Sequence, residues 1–107
     1  MEPQDFLKNH GADLLQVLRN YDSGKIGHEE AREFAWAVIA DCEESAVPRD
    51  AAYTTSEHAF WAAIWSVVHL ADQEHWADNC ARPAVQKYIR ILSGEDSLPS
   101  GEKALRP

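Results

Sequence analysis

The feature of this chain that most constrains its fold is a ten-residue run, residues 59–68, in which only Ser66 is polar. The segment TTSE that precedes it fits a capping box, with Thr54 as the N-cap and Glu57 at the third helical position. This pattern predicts a helix that begins here and continues to about Trp76. Because the helix is apolar on nearly all sides, we expect it in the middle of a bundle, in contact with several other helices.

Three further helices are predicted from apolar residues that recur at helical spacing. We expect them at about residues 5–21, 28–43 and 82–92. Turns containing Gly24 and Gly94 end the first and the last of them, and Pro83 suits the first position of the last helix. No stretch shows a sustained alternation of apolar and polar residues. The sequence therefore predicts an all-α fold, a four-helix antiparallel bundle.

The length of 107 residues accommodates one domain with a single core. We assign residues 1–94 to this helical domain. Residues 95–107 contain two prolines and one glycine and have little to bury. They are therefore predicted to form a loose, flexible tail.

Charge is distributed unevenly along the chain. The sequence has 18 acidic and 10 basic residues, and residues 22–81 alone hold twelve acidic and three basic ones. A negative field of this kind repels nucleic acid and anionic membranes, so we expect neither as a partner. The same field attracts a basic protein and speeds its encounter. Solubility alone is the alternative explanation.

The N-terminal residues show no basic segment followed by the apolar run of a signal peptide. The longest apolar-rich stretch, residues 59–71, is too short to span a bilayer. Cys42 and Cys80 lack the spacing of a zinc site and are expected to be ordinary thiols. Together these observations predict a cytoplasmic protein with reduced cysteines. We expect it to be a monomer or a weak oligomer.

The second predicted helix carries the first group of candidate binding residues. Glu29, Glu30 and Glu33 lie near its start, and Asp41 lies near its end. Carboxylates in the first turn complement the positive end of the helix dipole. One interpretation is a solvated helix face. The other is a surface that mimics phosphate groups and occupies the basic cleft of a nuclease.

The third predicted helix carries a stripe of aromatic and polar residues, at positions 61, 65, 69, 72 and 76. In a core interpretation, Trp61 and Trp65 fill the bundle and His69 pairs with Asp72. In a binding interpretation, the stripe is a recognition surface, because tryptophan is enriched at the centres of interfaces. Trp76 has polar neighbours and is the strongest candidate for exposure. We therefore add Asp72 and Trp76 to the candidate partner-binding residues.

Catalytic and metal chemistry have little support in the sequence. We find no phosphate-binding loop, nucleophile elbow or zinc-protease motif, and we assign no catalytic residue, metal ligand or cofactor. His69 and Asp72 are spaced to share a helix face, but a metal site would need further ligands from another helix. A small helical metal-binding protein or enzyme that uses these two residues stays an alternative.

In its general features, the chain resembles the small, acidic, helical immunity proteins that bacteria encode beside polymorphic toxins, including contact-dependent inhibition and colicin-type systems. The resemblance rests on the size, the acidic middle region, the turn DSGKI leading into the glutamate-rich second helix, and the FWAAIW helix followed by HLAD. It implies tight binding of a cognate basic toxin, with a nuclease expected, and no enzyme activity. A regulatory or adaptor bundle that uses the same surface is the alternative binding function.

Overall fold

The computed structural model describes residues 2–48, 50–71 and 78–107, without the side chains of residues 70, 71 and 78–82. This part of the chain forms four α-helices and contains no strand, which confirms the predicted all-α, four-helix fold. The helices are α1 (Pro3–Asp22), α2 (His28–Glu44), α3 (Thr55–Ala71) and α4 (Asp78–Leu92), followed by one 3₁₀ turn (Ser100–Glu102). The radius of gyration is 13.2 Å, close to the ~13 Å expected for one domain of this length.

The turns that end α1 and α4 follow the local sequence. Gly24 and Gly94 have φ angles of 80° and 85°, in the left-handed region that glycine adopts without steric cost. The start of α4 differs from the prediction, because the helix begins at Asp78 and Pro83 lies inside it. Pro3, by contrast, lies at the start of α1, where its missing N–H would have had no helical partner.

The apolar run places α3 at the centre of the bundle, in contact with the other three helices. Phe60, Trp61 and Ile64 are at most 1% exposed, and their neighbours in the core come from every helix. Trp61 therefore fills the core as predicted. Trp65 does not, because it is only half-buried and lies at the edge of the core. The predicted extension of α3 to Trp76 lies outside the described residues.

The start of α3 confirms one half of the predicted capping box. The backbone N–H of Glu57 donates to Oγ1 of Thr54 at 3.1 Å, so Thr54 is the N-cap. The carboxylate of Glu57 is engaged elsewhere: it accepts a hydrogen bond from Nε1 of Trp61 at 3.1 Å and pairs with Arg106. Its predicted role in the cap is therefore corrected, because a buried carboxylate needs a positive partner more than the exposed helix end needs a second cap.

The expectation that residues 95–107 have little to bury is wrong for Ala104 and Arg106. Residues 95–103 are mostly exposed, but Ala104 packs against the core and the Arg106 side chain is only 4% exposed. The carbonyl of Leu105 accepts a hydrogen bond from Nε1 of Trp65 at 2.8 Å. The tail thus packs over the half-buried Trp65 and the start of α3, where the Arg106 side chain pairs with Glu57.

Candidate partner-binding surface

The candidate residues of α2 lie on its solvent-facing side. Successive residues of an α-helix are turned by about 100° around its axis, and the buried residues of α2 centre on Ala35 and Cys42. The acidic residues occupy the opposite half of the helix and are all exposed. We call this surface the α2 acidic face; its members are Glu29, Glu30, Glu33, Asp41, Glu43 and Glu44. The structure thus brings the four candidates of α2 onto one helix face.

The charges of the α2 acidic face are largely uncompensated within the helix. Arg32 is the one basic residue among positions 28–44, and it is half-buried and already engaged in an interaction. Within the described part of the chain, Glu29, Glu30 and Glu33 form no hydrogen bond or ion pair. No described side chain therefore neutralises these three carboxylates.

Trp36 lies on this same surface and was not among the predicted site residues. It is 47% exposed, which is unusual for tryptophan. Helical geometry aligns it with Glu29 seven residues earlier and with Glu43 seven residues later. The signal was present in the sequence, since position 36 falls off the centre of the apolar stripe of α2. The structure adds the extent of exposure: Trp36 is 47% exposed, whereas Trp61 is 0% exposed.

A shallow groove between α1 and α2 borders the α2 acidic face. Phe34 and Ala37 contribute apolar surface to it, and Asp13, Asp41 and Glu44 contribute carboxylates. Phe34 is half-buried, so part of its ring faces the groove. An apolar floor with an acidic rim suits a cationic side chain whose aliphatic stem lies on the floor.

Asp41 differs from the other candidates because it has a partner within the protein. Its Oδ2 lies 2.7 Å from Nε2 of His10, and the Asp41 side chain remains 51% exposed. The His10 ring in turn lies against Phe6, with the ring centroids 4.5 Å apart. Asp41 is therefore held in one position at the rim of the groove, whereas Glu30 and Glu33 are not.

The other two predicted site residues follow α3 in the sequence. Asp72 and Trp76 lie outside the described residues, and so does the predicted pairing of His69 with Asp72. His69 itself is exposed and engaged in an interaction. Among the described residues, no group of three histidine, cysteine or acidic side chains could hold a metal ion.

The thiol of Cys42 lies on the buried side of α2, away from the acidic face. Burial raises its pKa above the ordinary value of 9.0, and the negative charge of Glu57 raises it further. The nearby Arg106 acts in the opposite direction but does not cancel these effects. Cys42 is therefore a neutral, poorly nucleophilic thiol at physiological pH.

The carboxylate of Glu57 does not contribute to the acidic surface that the sequence predicted. It is 1% exposed, and the guanidinium of Arg106 neutralises it. Residues 51–71 contain no other charged side chain. The negative surface of the described residues is therefore concentrated on α2 rather than spread evenly over the middle of the chain.

None of the described helices has the length and apolar character needed to cross a membrane. Comparison of the chain with protein-family models, with curated proteins and with solved structures gave no match.

Proposed function

We propose that this chain is an immunity protein that binds a basic protein toxin, a nuclease in our hypothesis, and neutralises it through the α2 acidic face. The observation that carries the proposal is the exposed Trp36 on a helix face with six exposed carboxylates. Tryptophan is enriched at the centres of protein interfaces, where it contributes a large apolar contact area and one hydrogen-bond donor. A partly exposed tryptophan among carboxylates therefore favours an interface over a purely solvated face.

The two kinds of residue have different tasks in this proposal. Exposed carboxylates such as Glu30 and Glu33 steer the encounter with a basic partner, so they act mainly on the association rate. Trp36 and the apolar floor of the α1–α2 groove hold the complex together, so they act mainly on the dissociation rate. Asp41, fixed by His10 at 2.7 Å, is pre-positioned to accept a hydrogen bond from an arginine of the partner.

The experiment reverses charge on the α2 acidic face. The variant Glu30→Lys with Glu33→Lys places positive charge opposite the basic partner, and Trp36→Ala removes the aromatic anchor. The matched control is Glu2→Lys with Glu95→Lys, which changes net charge equally at exposed positions outside α2. Each variant is tested for protection of cells that produce the toxin of the gene preceding this one, and for binding to that purified protein.

We expect the α2 double variant to lose protection and to associate at least about tenfold more slowly at low salt, with the difference shrinking as salt is raised. Trp36→Ala should dissociate at least about tenfold faster, the loss expected of a hot-spot residue. The control should protect fully. If the folded double variant and Trp36→Ala both protect and bind like the unaltered protein, α2 is only a solvated face, and the sequence segment around Trp76 becomes the next candidate.

A further inference from the structure

The end of the chain inserts an arginine between α3 and the loop that precedes it. We call the surrounding groups the arginine cradle; they are the carboxylate of Glu57, the ring of Tyr53 and the backbone carbonyls of Pro48, Ala51 and Ala52. All of them come from one continuous stretch, residues 48–57. The receiving groups are thus local in sequence, whereas Arg106 lies 49 positions after Glu57.

The cradle matches the hydrogen-bonding capacity of a guanidinium group. Nε and Nη2 of Arg106 both donate to the carboxylate of Glu57, the latter at 2.7 Å. Nη1 donates to the carbonyls of Pro48 at 3.1 Å and Ala51 at 3.0 Å, and Nη2 also donates to that of Ala52 at 3.3 Å. Among the described residues these bonds number five, as many as the N–H donors of arginine. A lysine ammonium has three donors and no planar fork, so it cannot replace them.

The Tyr53 side chain contributes a second mode of recognition. Its ring faces the guanidinium carbon at 4.1 Å from the ring centroid, a cation–π contact. Its hydroxyl accepts a hydrogen bond from the backbone N–H of Arg106 at 2.8 Å. One residue of the cradle therefore contacts both the side chain and the backbone of the arginine.

The two residues before the arginine are bound through their backbone. Nδ1 of His58 lies 2.9 Å from the carbonyl oxygen of Ala104, and Nε1 of Trp65 donates to the carbonyl of Leu105. The side chain of Leu105 is 64% exposed. Recognition thus depends on one arginine and on the backbone that precedes it, which is how a protein binds a short linear peptide.

The rest of the tail contributes little to holding this segment. Residues 93–103 are exposed except for the half-buried Leu98. An ion pair between Lys87 and Glu102 connects them to α4 at a distance of 2.6 Å, and both side chains are partly exposed, so its contribution is small. Residues 104–106 therefore resemble a peptide ligand that an exposed connection tethers to its receptor.

We infer that the arginine cradle is a binding site for arginine-containing linear peptides, and that the chain's own tail is the ligand that fills it in this structure. In a variant that lacks Arg106, the arginine cradle should bind an arginine peptide that is added as a separate molecule. This inference concerns a surface distinct from the α2 acidic face and does not depend on toxin neutralisation.

The test uses the full chain with Arg106→Ala and an end-blocked peptide with the sequence of residues 103–107. Binding is measured by isothermal calorimetry and by the thermal midpoint of the variant. The matched control peptide carries lysine in place of the arginine. In a second titration, methylguanidinium chloride at millimolar concentration is compared with methylammonium chloride at the same ionic strength.

We expect the arginine peptide to bind the variant saturably and to raise its thermal midpoint, and methylguanidinium to raise it as well. The lysine peptide should bind at least about tenfold more weakly, the equivalent of one lost charged hydrogen bond. The unaltered protein should bind the arginine peptide at least about tenfold more weakly than the variant, since the tethered tail competes at high effective concentration.

If the variant is folded and binds neither the arginine peptide nor methylguanidinium, the inference is overturned. Equal binding of the arginine and lysine peptides overturns it too. If Arg106→Ala is unfolded, the same peptide is added while helix content is followed by circular dichroism. Binding to the folded state then restores the helical signal, and a signal that stays unchanged at saturating peptide rejects the site.

Discussion

Glu57 and the carboxylates of the α2 acidic face carry the same charge in opposite surroundings. Glu57 is 1% exposed, and both of its oxygens are held by Arg106 and Trp61. Glu30 and Glu33 are exposed, and no partner for them exists among the described residues. A buried carboxylate is costly unless a partner compensates it, whereas a solvated one costs little and stabilises little.

The comparison shows negative charge in two different environments of this bundle. At the arginine cradle the carboxylate of Glu57 holds the tail and the α2–α3 loop in place. On the α2 acidic face the carboxylates are exposed and contribute little to folding; their use in binding a partner is our proposal. Substitutions at the arginine cradle should therefore change the unfolding free energy more than substitutions on the α2 acidic face.

Arg106→Ala should lower the unfolding free energy by about 3–5 kcal/mol, because it leaves the charge of Glu57 buried without a partner. Urea denaturation followed by circular dichroism measures the loss. Lys103→Ala, an exposed position in the same tail, is the control and should change stability by less than about 0.5 kcal/mol. A loss below about 1 kcal/mol, the ordinary effect of a point mutation, would show that the cradle is not a stability element.

Adding Glu57→Gln to the Arg106→Ala variant should restore about 1–3 kcal/mol of the loss, since a neutral amide costs less to bury than an unpaired carboxylate. The amide oxygen can still accept the hydrogen bond from Nε1 of Trp61. Comparison of the two single variants with the double variant isolates the coupling. A further loss of stability in the double variant would mean that the charge of Glu57 is not what makes Arg106 necessary.

Thr54→Ala should lower the unfolding free energy by about 1 kcal/mol, because α3 loses its N-cap. Thr55→Ala is a matched control, since Thr55 is exposed at the next position and its hydroxyl makes no described hydrogen bond. Chemical denaturation of the two variants gives the difference directly. Equal losses at both positions would contradict a specific capping role for Thr54.

Glu30→Lys combined with Glu33→Lys should change the unfolding free energy by less than about 1 kcal/mol. Glu30 loses a favourable interaction with the positive start of α2, while the reduced net negative charge relieves repulsion across the bundle. Both effects are screened by salt, so denaturation at low and at high salt should show a difference that shrinks as salt is raised. A loss of several kcal/mol would contradict the solvated state of these carboxylates and would remove the contrast with Glu57.

The smallest effect concerns Cys42, which lies beside the arginine cradle. Its pKa in the folded protein is raised above 9.0, chiefly by burial. Stability linked to the neutral thiol is therefore fully present below about pH 9 and is lost as pH rises through the raised folded pKa. The unfolding free energy of Cys42→Ala should fall less steeply above pH 9 than that of the unaltered protein. Parallel pH profiles of the two proteins would contradict the raised pKa of Cys42.

The features that depend on local pattern could be predicted without the structure. The apolar run of α3, the Thr54 N-cap and the positive-φ glycines were all predictable, because helical periodicity and terminal hydrogen bonds involve residues at most a few positions apart. The exposure of the α2 carboxylates followed from the same periodicity. The binding of a partner by these residues stays a prediction.

The pairing of the buried charges and the extent to which each tryptophan is covered depend on contacts between distant parts of the chain. Glu57 and Arg106 are 49 positions apart, so no local spacing relates them. A charged side chain is expected at the surface, and these two are buried because each is the partner of the other. That pair, together with the contacts of Tyr53, His58 and Trp65, docks the tail. Trp65 is partly covered by the backbone of Leu105 rather than by a helix. Trp36 is 47% exposed because no described element packs over that side of α2 closely enough to bury it.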